Sequence, residues 1–186
     1  NADALVRRAG GKPVRLATKS VRCRGVSDAV LGLDGFAGVL ALTLPEALLL
    51  AQTCSDVVVG YPTVDRAALA RLAADPELAA RVTLMVDSTD HLDLLDGVAA
   101  QSDSVLRVCL DLDASLRLFR GRLHLGTRRS PLHSAVDAAR FAEEIVRRPR
   151  LRLVGMMAYE GQIAGVADNA GSPVTKGVVR AMQARS

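Results

Sequence analysis

Short apolar runs alternate with segments of helical pattern along most of the chain. The apolar runs predict six β-strands, over Val14–Ser20, Gly38–Leu44, Asp56–Gly60, Arg81–Asp87, Val105–Asp113 and Leu151–Tyr159. The intervening segments predict helices over Asn1–Ala9, Ser27–Leu33, Pro45–Ala51, Asp65–Ala74, His91–Ala100 and Ser134–Arg148. The last helix has the clearest amphipathic spacing, with apolar side chains at Val136, Ala139, Phe141, Ala142 and Ile145. Serine N-caps are expected at Ser27 and at Ser88, with Thr89 as the alternative to Ser88.

Strand and helix therefore repeat, and the first five strands follow one another at the spacing of βα units. Repeated βα units predict a parallel sheet, either open and doubly wound or closed into a barrel. No GxGxxG sequence follows the first strand, which weakens a dinucleotide-binding interpretation. We therefore predict an α/β fold of the TIM-type (β/α)8 barrel class, incomplete, with about six βα units in this chain. The tail over 164–186 is expected to begin a further helical layer.

Composition narrows the class of protein. The chain has 186 residues, 49% of them hydrophobic and 24% charged, as in ordinary soluble globular proteins. The net charge of +4 raises the question of a nucleic-acid partner, but the arginines are dispersed and aromatic residues make up only 3%. No apolar run approaches the roughly eighteen residues of a membrane span. Cys23, Cys54 and Cys109 lack metal-site spacing, so we expect reduced cysteines in a cytoplasmic protein without nucleic-acid or membrane partners.

Polar residues stand at the carboxyl ends of the predicted strands, where barrels of this type build their active sites. These residues are Lys19, Thr43, Tyr61, Asp87, Asp111, Asp113 and Tyr159. Lys19 is the candidate nucleophile, because an amine at the end of an apolar strand is expected to be partly desolvated and so more often uncharged. The alternative is that Lys19 only marks where the strand leaves the core. Asp87 also fits a helix start, and Tyr61 fits a loop-orienting residue.

The segment VRLATKSVRC resembles the cofactor-lysine strand of the fold-type III pyridoxal-phosphate enzymes. This group contains the alanine racemases, D-threonine aldolases and D-serine dehydratases. The resemblance covers most of the chain and keeps the order of motifs. It places Lys19 at the Schiff-base lysine and Arg22 at a basic residue of the aldolase and dehydratase motif. Asp111-Leu112-Asp113 is similar to the acid-x-Asp of those two enzymes, where racemases carry Lys.

Two further motifs belong to the same resemblance. Gly126-Thr127-Arg128-Arg129 is similar to a Gly-x-x-Arg whose arginine reaches the oxygen side of the cofactor ring, and Arg129 is the better match. The segment ending at Tyr159-Glu160-Gly161 resembles the aldolase-type Tyr-x-Gly, where racemases place His. The sequence departs from the aldolase and dehydratase pattern at Ala17 and at Gln162, both of which are usually His. These departures leave the aldolase, dehydratase and racemase branches open.

The resemblance implies a pyridoxal-phosphate enzyme that acts on a free amino acid, with a D-amino acid expected, as a homodimer. It implies that Lys19 is the catalytic residue and that Lys19, Arg129, Tyr159 and Asp111 bind the cofactor. It also implies that residues 1–186 form a truncated N-terminal barrel domain, because the C-terminal β-domain of the family is missing. A divalent metal is compatible with the family, but its ligands would lie in that missing part. His124 and His133 are further acid or base candidates, and His91 is expected to be exposed at a helix start.

Two other functions stay open. A non-catalytic pyridoxal-phosphate carrier has the same barrel, but carriers have Gly-Glu-Asn after the third strand and this chain has Gly60-Tyr61-Pro62-Thr63. The other alternative is an inactive fragment, because six βα units leave open sheet edges. Such a fragment is expected to dimerise through those edges or to bind the cofactor weakly.

Overall fold

The structure is a computed structural model, and it describes residues 1–118, 123–161, 176–177 and 179–180. The elements are α1 (Ala2–Ala9), β1 (Val14–Ala17), α2 (Arg24–Leu31), β2 (Phe36–Ala41), α3 (Leu44–Leu50), β3 (Val57–Val59), α4 (Arg66–Ala73), α5 (Pro76–Arg81), β4 (Val82–Val86), α6 (Thr89–Ser102), β5 (Leu106–Leu112), β6 (Leu116–Leu118), β7 (Leu123–Leu125), α7 (Ala135–Val146) and β8 (Leu151–Ala158). All six predicted strands are present. Most of the predicted tail over 164–186 lies outside the described residues. None of the helices described has the length and hydropathy needed to span a membrane.

Six strands form one parallel sheet in the order β1-β2-β3-β4-β5-β8. Within this sheet, each strand lies beside the strand of the sheet that precedes it in sequence, as the βα repeat requires. Strands β1 and β8 occupy the two edges. The predicted TIM-type barrel with about six units is therefore confirmed as a partial barrel. The connection between β5 and α7 contains an antiparallel pair, β6 and β7, which the sequence pattern did not predict. Helix α5 is not predicted either: its first five residues fall between the predicted helix over Asp65–Ala74 and the next predicted strand, and its last residue, Arg81, falls in that strand.

The core lies between the sheet and its helices. Every residue of β4 is buried, and Leu84 and Val86 pack in the same cluster as Leu69 of α4 and Leu95 of α6. Burying a side chain of this size stabilises a fold by about 1.5–3 kcal/mol. The other face of the sheet is concave and carries Leu40, Val58, Thr83, Arg107 and Cys109. This layering places the polar ends of the strands at one rim of the concave face.

Capping side chains fix most helix starts near the predicted positions. Thr43, Asp65, Ser88 and Ser134 accept hydrogen bonds from backbone N–H groups of the helices they precede. Helix α2 differs, because it begins three residues earlier than predicted and Cys23 is its N-cap. Ser27 is thus not a cap but a buried helical residue, and its hydroxyl donates to the Cys23 carbonyl, a bond open to serine inside a helix.

The predicted burial is wrong for one residue of α7 and for strand β1. Val136 of α7 is 58% exposed, because it lies in the first turn, away from the face that buries Phe141 and Ile145. Strand β1 is half-buried rather than buried, because only β2 pairs with it and its other edge is unpaired among the described residues. The expectation of a buried first strand therefore fails for a reason of topology.

Gly38 lets an ion pair cross the amino end of the sheet. Arg15 Nη2 lies 2.6 Å from Asp56 Oδ2, and the two side chains meet over Gly38 on the intervening strand. Gly38 has φ +72°, and a Cβ placed on it would lie 2.6 Å from the Asp56 carbonyl oxygen. Glycine is required here for both backbone conformation and space.

We expect Gly38→Ala to lower the free energy of unfolding by about 1–3 kcal/mol, because it combines a left-handed backbone with a backbone clash. Gly97→Ala is the matched control, since Gly97 is exposed in α6 and its Cβ would meet no atom within 4 Å. The control should be neutral or stabilising by about 0.5–1 kcal/mol. Urea unfolding of both variants measures the difference, and equal effects would contradict this assignment.

Candidate functional site

A cavity of about 270 Å³ opens at the carboxyl ends of the parallel strands. Polar and aromatic side chains lie on several sides of it, and the wall between them is apolar. The lining residues are Lys19, Leu40, Ala41, Leu42, Gly60, Tyr61, Thr127, Arg129, Met157, Ala158 and Tyr159. Three of the four residues predicted to form the site, Lys19, Arg129 and Tyr159, therefore line one cavity.

Lys19 lies in the turn directly after β1. Its neighbour Thr18 is buried and donates from Oγ1 to Glu46 Oε1 at 2.7 Å. Glu46 Oε2 accepts from the backbone N–H of Leu42 at 2.9 Å, so Glu46 ties together the ends of β1 and β2. The Lys19 side chain itself is exposed. The expected partial desolvation of this amine is not found, because β1 is an edge strand.

Arg129 is the most firmly held residue of the cavity wall. Its side chain is 8% exposed, and Nε donates to Asp111 Oδ1 at 2.8 Å. Nη2 donates to the carbonyl oxygen of Gly60 at the end of β3. The guanidinium also lies over the Tyr61 ring, with Cζ 4.6 Å from the ring centroid. These contacts fix a cation at the rim.

Asp111 of β5 lies behind Arg129 and is fully buried. Burial raises the pKa of its carboxyl, and this effect outweighs the opposing hydrogen bond and charge of Arg129. The charges of Asp87 and Asp113 raise the same pKa further. Asp111 is absent from the cavity lining, so its influence on a molecule in the cavity would run through Arg129. Direct cofactor binding by Asp111 stays a prediction.

Asp113 and Arg22 serve other parts of the structure. Asp113 Oδ2 accepts from Arg117 Nη2 at 2.5 Å, and Oδ1 accepts from the Ser115 backbone N–H at 2.8 Å. Burial alone would raise the pKa of Asp113, but these hydrogen bonds outweigh it and the pKa is lowered. Arg22 lines a separate cavity near Thr43, between α2 and α3. The motif match at Arg22 therefore does not bring it to the Lys19 cavity.

The expectation that His91 is exposed is wrong, since only 6% of its surface is accessible. Its Nε2 lies 2.8 Å from the Thr63 carbonyl oxygen, because the β3–α4 connection packs over the first turn of α6. Burial lowers the pKa of His91, which the hydrogen bond to Thr63 and the charge of Asp87 oppose.

The two other histidines lie away from the cavity lining. His133 Nδ1 is 3.0 Å from the Asp113 carbonyl oxygen, and His124 belongs to β7. Gln162, the departure from the aldolase pattern, lies outside the described residues. Within 1–118, 123–161 and the four helical positions beyond, no three His, Cys, Asp or Glu residues are grouped as metal ligands.

The alanine racemase N-terminal domain family matches residues 1–184. The chain belongs to this family. No curated protein matches the sequence significantly. In this alanine racemase N-terminal domain, Lys19 and Arg129 line the same cavity, and their roles toward a cofactor stay predictions.

Solved structures share the fold. The D-threonine aldolase from Filomicrobium marinum is 21% identical, with a TM-score of 0.68 over 86% of this chain and 40% of that chain. The alanine racemase from D-cycloserine-producing Streptomyces lavendulae is 18% identical, with a TM-score of 0.61 over 99% of this chain and 45% of that chain. This racemase-type domain therefore spans less than half of either enzyme.

Two features of the cavity in this racemase-type domain are not predicted by the sequence. The sequence places Tyr61 among the polar residues at the strand ends, with loop orientation as the alternative, but it does not predict the contact of the Tyr61 ring with the Arg129 guanidinium. Thr127 is predicted only as part of the Gly-x-x-Arg motif, yet it lines the cavity. The position of Tyr61 after the β-branched third strand was the available signal for the first feature, and its stacking partner lies 68 residues away in sequence.

Proposed function

We propose that this domain is the pyridoxal-phosphate-binding barrel of an enzyme that acts on an amino acid. The aldolase, dehydratase and racemase branches are all compatible with the residues present. The observation that carries the proposal is the convergence of Lys19, Arg129 and Tyr159 on one cavity. The proposal includes a cytoplasmic homodimer, with residues 1–186 as the N-terminal domain of a longer chain.

The side chains of the cavity suit the chemistry of this cofactor. A primary amine can bond to its aldehyde, a cation can face its ring oxygen, and an aromatic or apolar wall can contact its ring. Lys19 offers the amine, and Leu40 with Ala158 contributes to the apolar wall. Two nitrogens of Arg129 are occupied by Asp111 and Gly60, but Nη1 donates no hydrogen bond within the described residues. Arg129 therefore keeps donors for the ring oxygen.

Pyridoxal phosphate, when bound, withdraws electrons from the α-carbon of an amino acid and makes that carbon easier to cleave or deprotonate. Lys19 would hold the cofactor through its Nζ, and the same amine, when free, would take the proton at the substrate's α-carbon or at a side-chain hydroxyl. Arg129 would keep a positive charge at the ring oxygen. Tyr159, 40% exposed at the end of β8, would orient the ring by stacking or hydrogen bonding.

Borohydride trapping of the full-length protein tests this proposal. After incubation with pyridoxal phosphate and reduction, mass spectrometry should locate one pyridoxyl group on the peptide containing Lys19. The peptide containing Lys12, an exposed lysine before β1, is the internal control and should stay unlabelled. Label mainly on Lys12, or no stoichiometric label, would refute the cofactor role. Labelled Lys19 without product from D-threonine, D-serine or alanine would favour the carrier.

A further inference from the structure

Two carboxyl groups lie side by side beneath Arg129. In the pairing of β4 with β5, Met85 is opposite Cys109 and Val86 is opposite Leu110. The same register puts Asp87, the residue after β4, opposite Asp111. Neighbouring strands lie only about 4.8 Å apart, and side chains two residues apart share a face. Asp87 and Asp111 therefore stand together on the concave face.

The charged and titratable groups around this pair come from three elements. Arg129 faces it from the connection before α7, His91 faces Asp87 from α6, and Asp113 directly follows β5. Burial raises the pKa of Asp87, which the charges of His91 and Arg129 oppose. Burial also raises the pKa of Asp111. Two ionised carboxylates would thus share one nearby cation in a largely buried place.

Two buried acceptors in the same cluster lack a donor among the residues described. One is Asp111 Oδ2, since Arg129 occupies Oδ1. The other is His91 Nδ1. His91 Nε2 faces a carbonyl oxygen, which only accepts, so Nε2 carries the hydrogen and Nδ1 of the neutral ring carries a lone pair. One proton placed on Asp87 would supply a donor for one of these two acceptors, and Asp111 is the residue that lies opposite Asp87 in the strand register.

We propose that Asp87 is a positioning residue that keeps a proton on its carboxyl group and donates a hydrogen bond to Oδ2 of Asp111, so that Asp111 keeps the single negative charge that holds Arg129. The inference rests on the proposed function in one respect, namely that Arg129 faces the cofactor. When Asp87 is protonated, the negative charge of Asp111 and the positive charge of Arg129 neutralise each other. An ionised Asp87 adds a second negative charge and draws Arg129 away from the ring oxygen.

The first test uses the full-length protein without cofactor. Urea unfolding of wild type, Asp87→Asn and the control Asp90→Asn is followed between about pH 4 and pH 8. A carboxyl whose pKa is higher in the folded state stabilises the fold at low pH, and that contribution is lost as pH rises through the folded pKa. Wild type should therefore lose stability relative to Asp87→Asn as pH rises, because asparagine stays a neutral donor. Asp90 is exposed in the first turn of α6, so its variant should run parallel to wild type.

A second measurement needs no substitution. Titration of the assigned carboxyl ¹³C resonances of wild type should show Asp87 protonated above the ordinary carboxyl pKa of 3.8. If Asp87 titrates at its ordinary value, or if wild type and Asp87→Asn unfold in parallel at all pH values, the positioning role is overturned.

The third measurement uses the protein loaded with pyridoxal phosphate. The pH midpoint of the bound cofactor's absorption band should stay within a few tenths of a unit in Asp87→Asn, and should move by about one unit in Asp87→Leu, which removes the donor. Equal midpoints in the two variants would overturn the role. A protein that passes the first two tests but binds no cofactor would refute the proposed function and leave the proton on Asp87 standing.

Discussion

Replacing Arg129 with methionine is expected to lower the free energy of unfolding by about 3–5 kcal/mol. Arg129 provides the salt bridge to Asp111, whose side chain is 0% exposed, at 2.8 Å. Without it, the carboxyl must either remain charged in a buried place or take up a proton, and both cost free energy. The substitution also removes the bond to Gly60, so β3 and β5 lose a link. Urea unfolding near neutral pH measures the loss.

A double substitution and a surface control separate the buried charge from a general effect of losing arginine. Arg129→Met with Asp111→Leu should recover most of the lost stability, because Asp111 then no longer leaves a buried charge without its partner. Arg147→Met should change stability little, since Arg147 is 64% exposed and pairs with Glu143 and Glu144 on the surface of α7. A double variant as unstable as Arg129→Met alone would contradict this account of the ion pair.

Replacing Lys19 with alanine is expected to reduce turnover of the full-length enzyme by at least about 1,000-fold. In the proposed function this amine holds the cofactor and moves the proton, and the described cavity wall offers no second lysine. The free energy of unfolding should hardly change, because the Lys19 side chain is exposed and makes no hydrogen bond or ion pair with the described residues. Steady-state assays with D-threonine, D-serine and alanine, together with urea unfolding, test both halves.

Lys12→Ala is the matched control, because it removes an exposed lysine from the segment before β1. It should leave turnover near the wild-type value. Near-wild-type turnover in Lys19→Ala would show that another amine carries the reaction. A large loss of stability in that variant would show instead that Lys19 has a structural role.

The sequence predicts the rim of the site because local pattern and topology agree there. Lys19 and Tyr159 end two apolar runs, and parallel strands bring their carboxyl ends to one edge. Arg129 is different, since no strand carries it and only the family resemblance indicated it. Its attachment to Asp111 and Gly60 depends on contacts between residues far apart in sequence.

The features that the sequence does not predict depend on contacts between distant residues, which the local pattern of apolar and polar residues does not indicate. His91 has the position of an exposed residue in a first helical turn, and it is buried because the Thr63 connection folds over it. The placement of Asp87 opposite Asp111, one residue beyond the paired Val86 and Leu110, depends on strand register, which the sequence of a single strand does not reveal. Lys19 is exposed because it follows β1, which is an edge strand of the sheet. The sequence of a strand does not reveal whether that strand lies at an edge or in the centre.

The two ends of the sheet are fastened by ion pairs in different surroundings. The Arg15–Asp56 pair at the amino end is 35% and 40% exposed, whereas the Arg129–Asp111 pair at the carboxyl end is 8% and 0% exposed. Mobile ions screen charges in water far more than charges enclosed by protein. Rising ionic strength should therefore weaken the Arg15–Asp56 pair before the Arg129–Asp111 pair, so that the sheet loosens first at the end opposite the cavity.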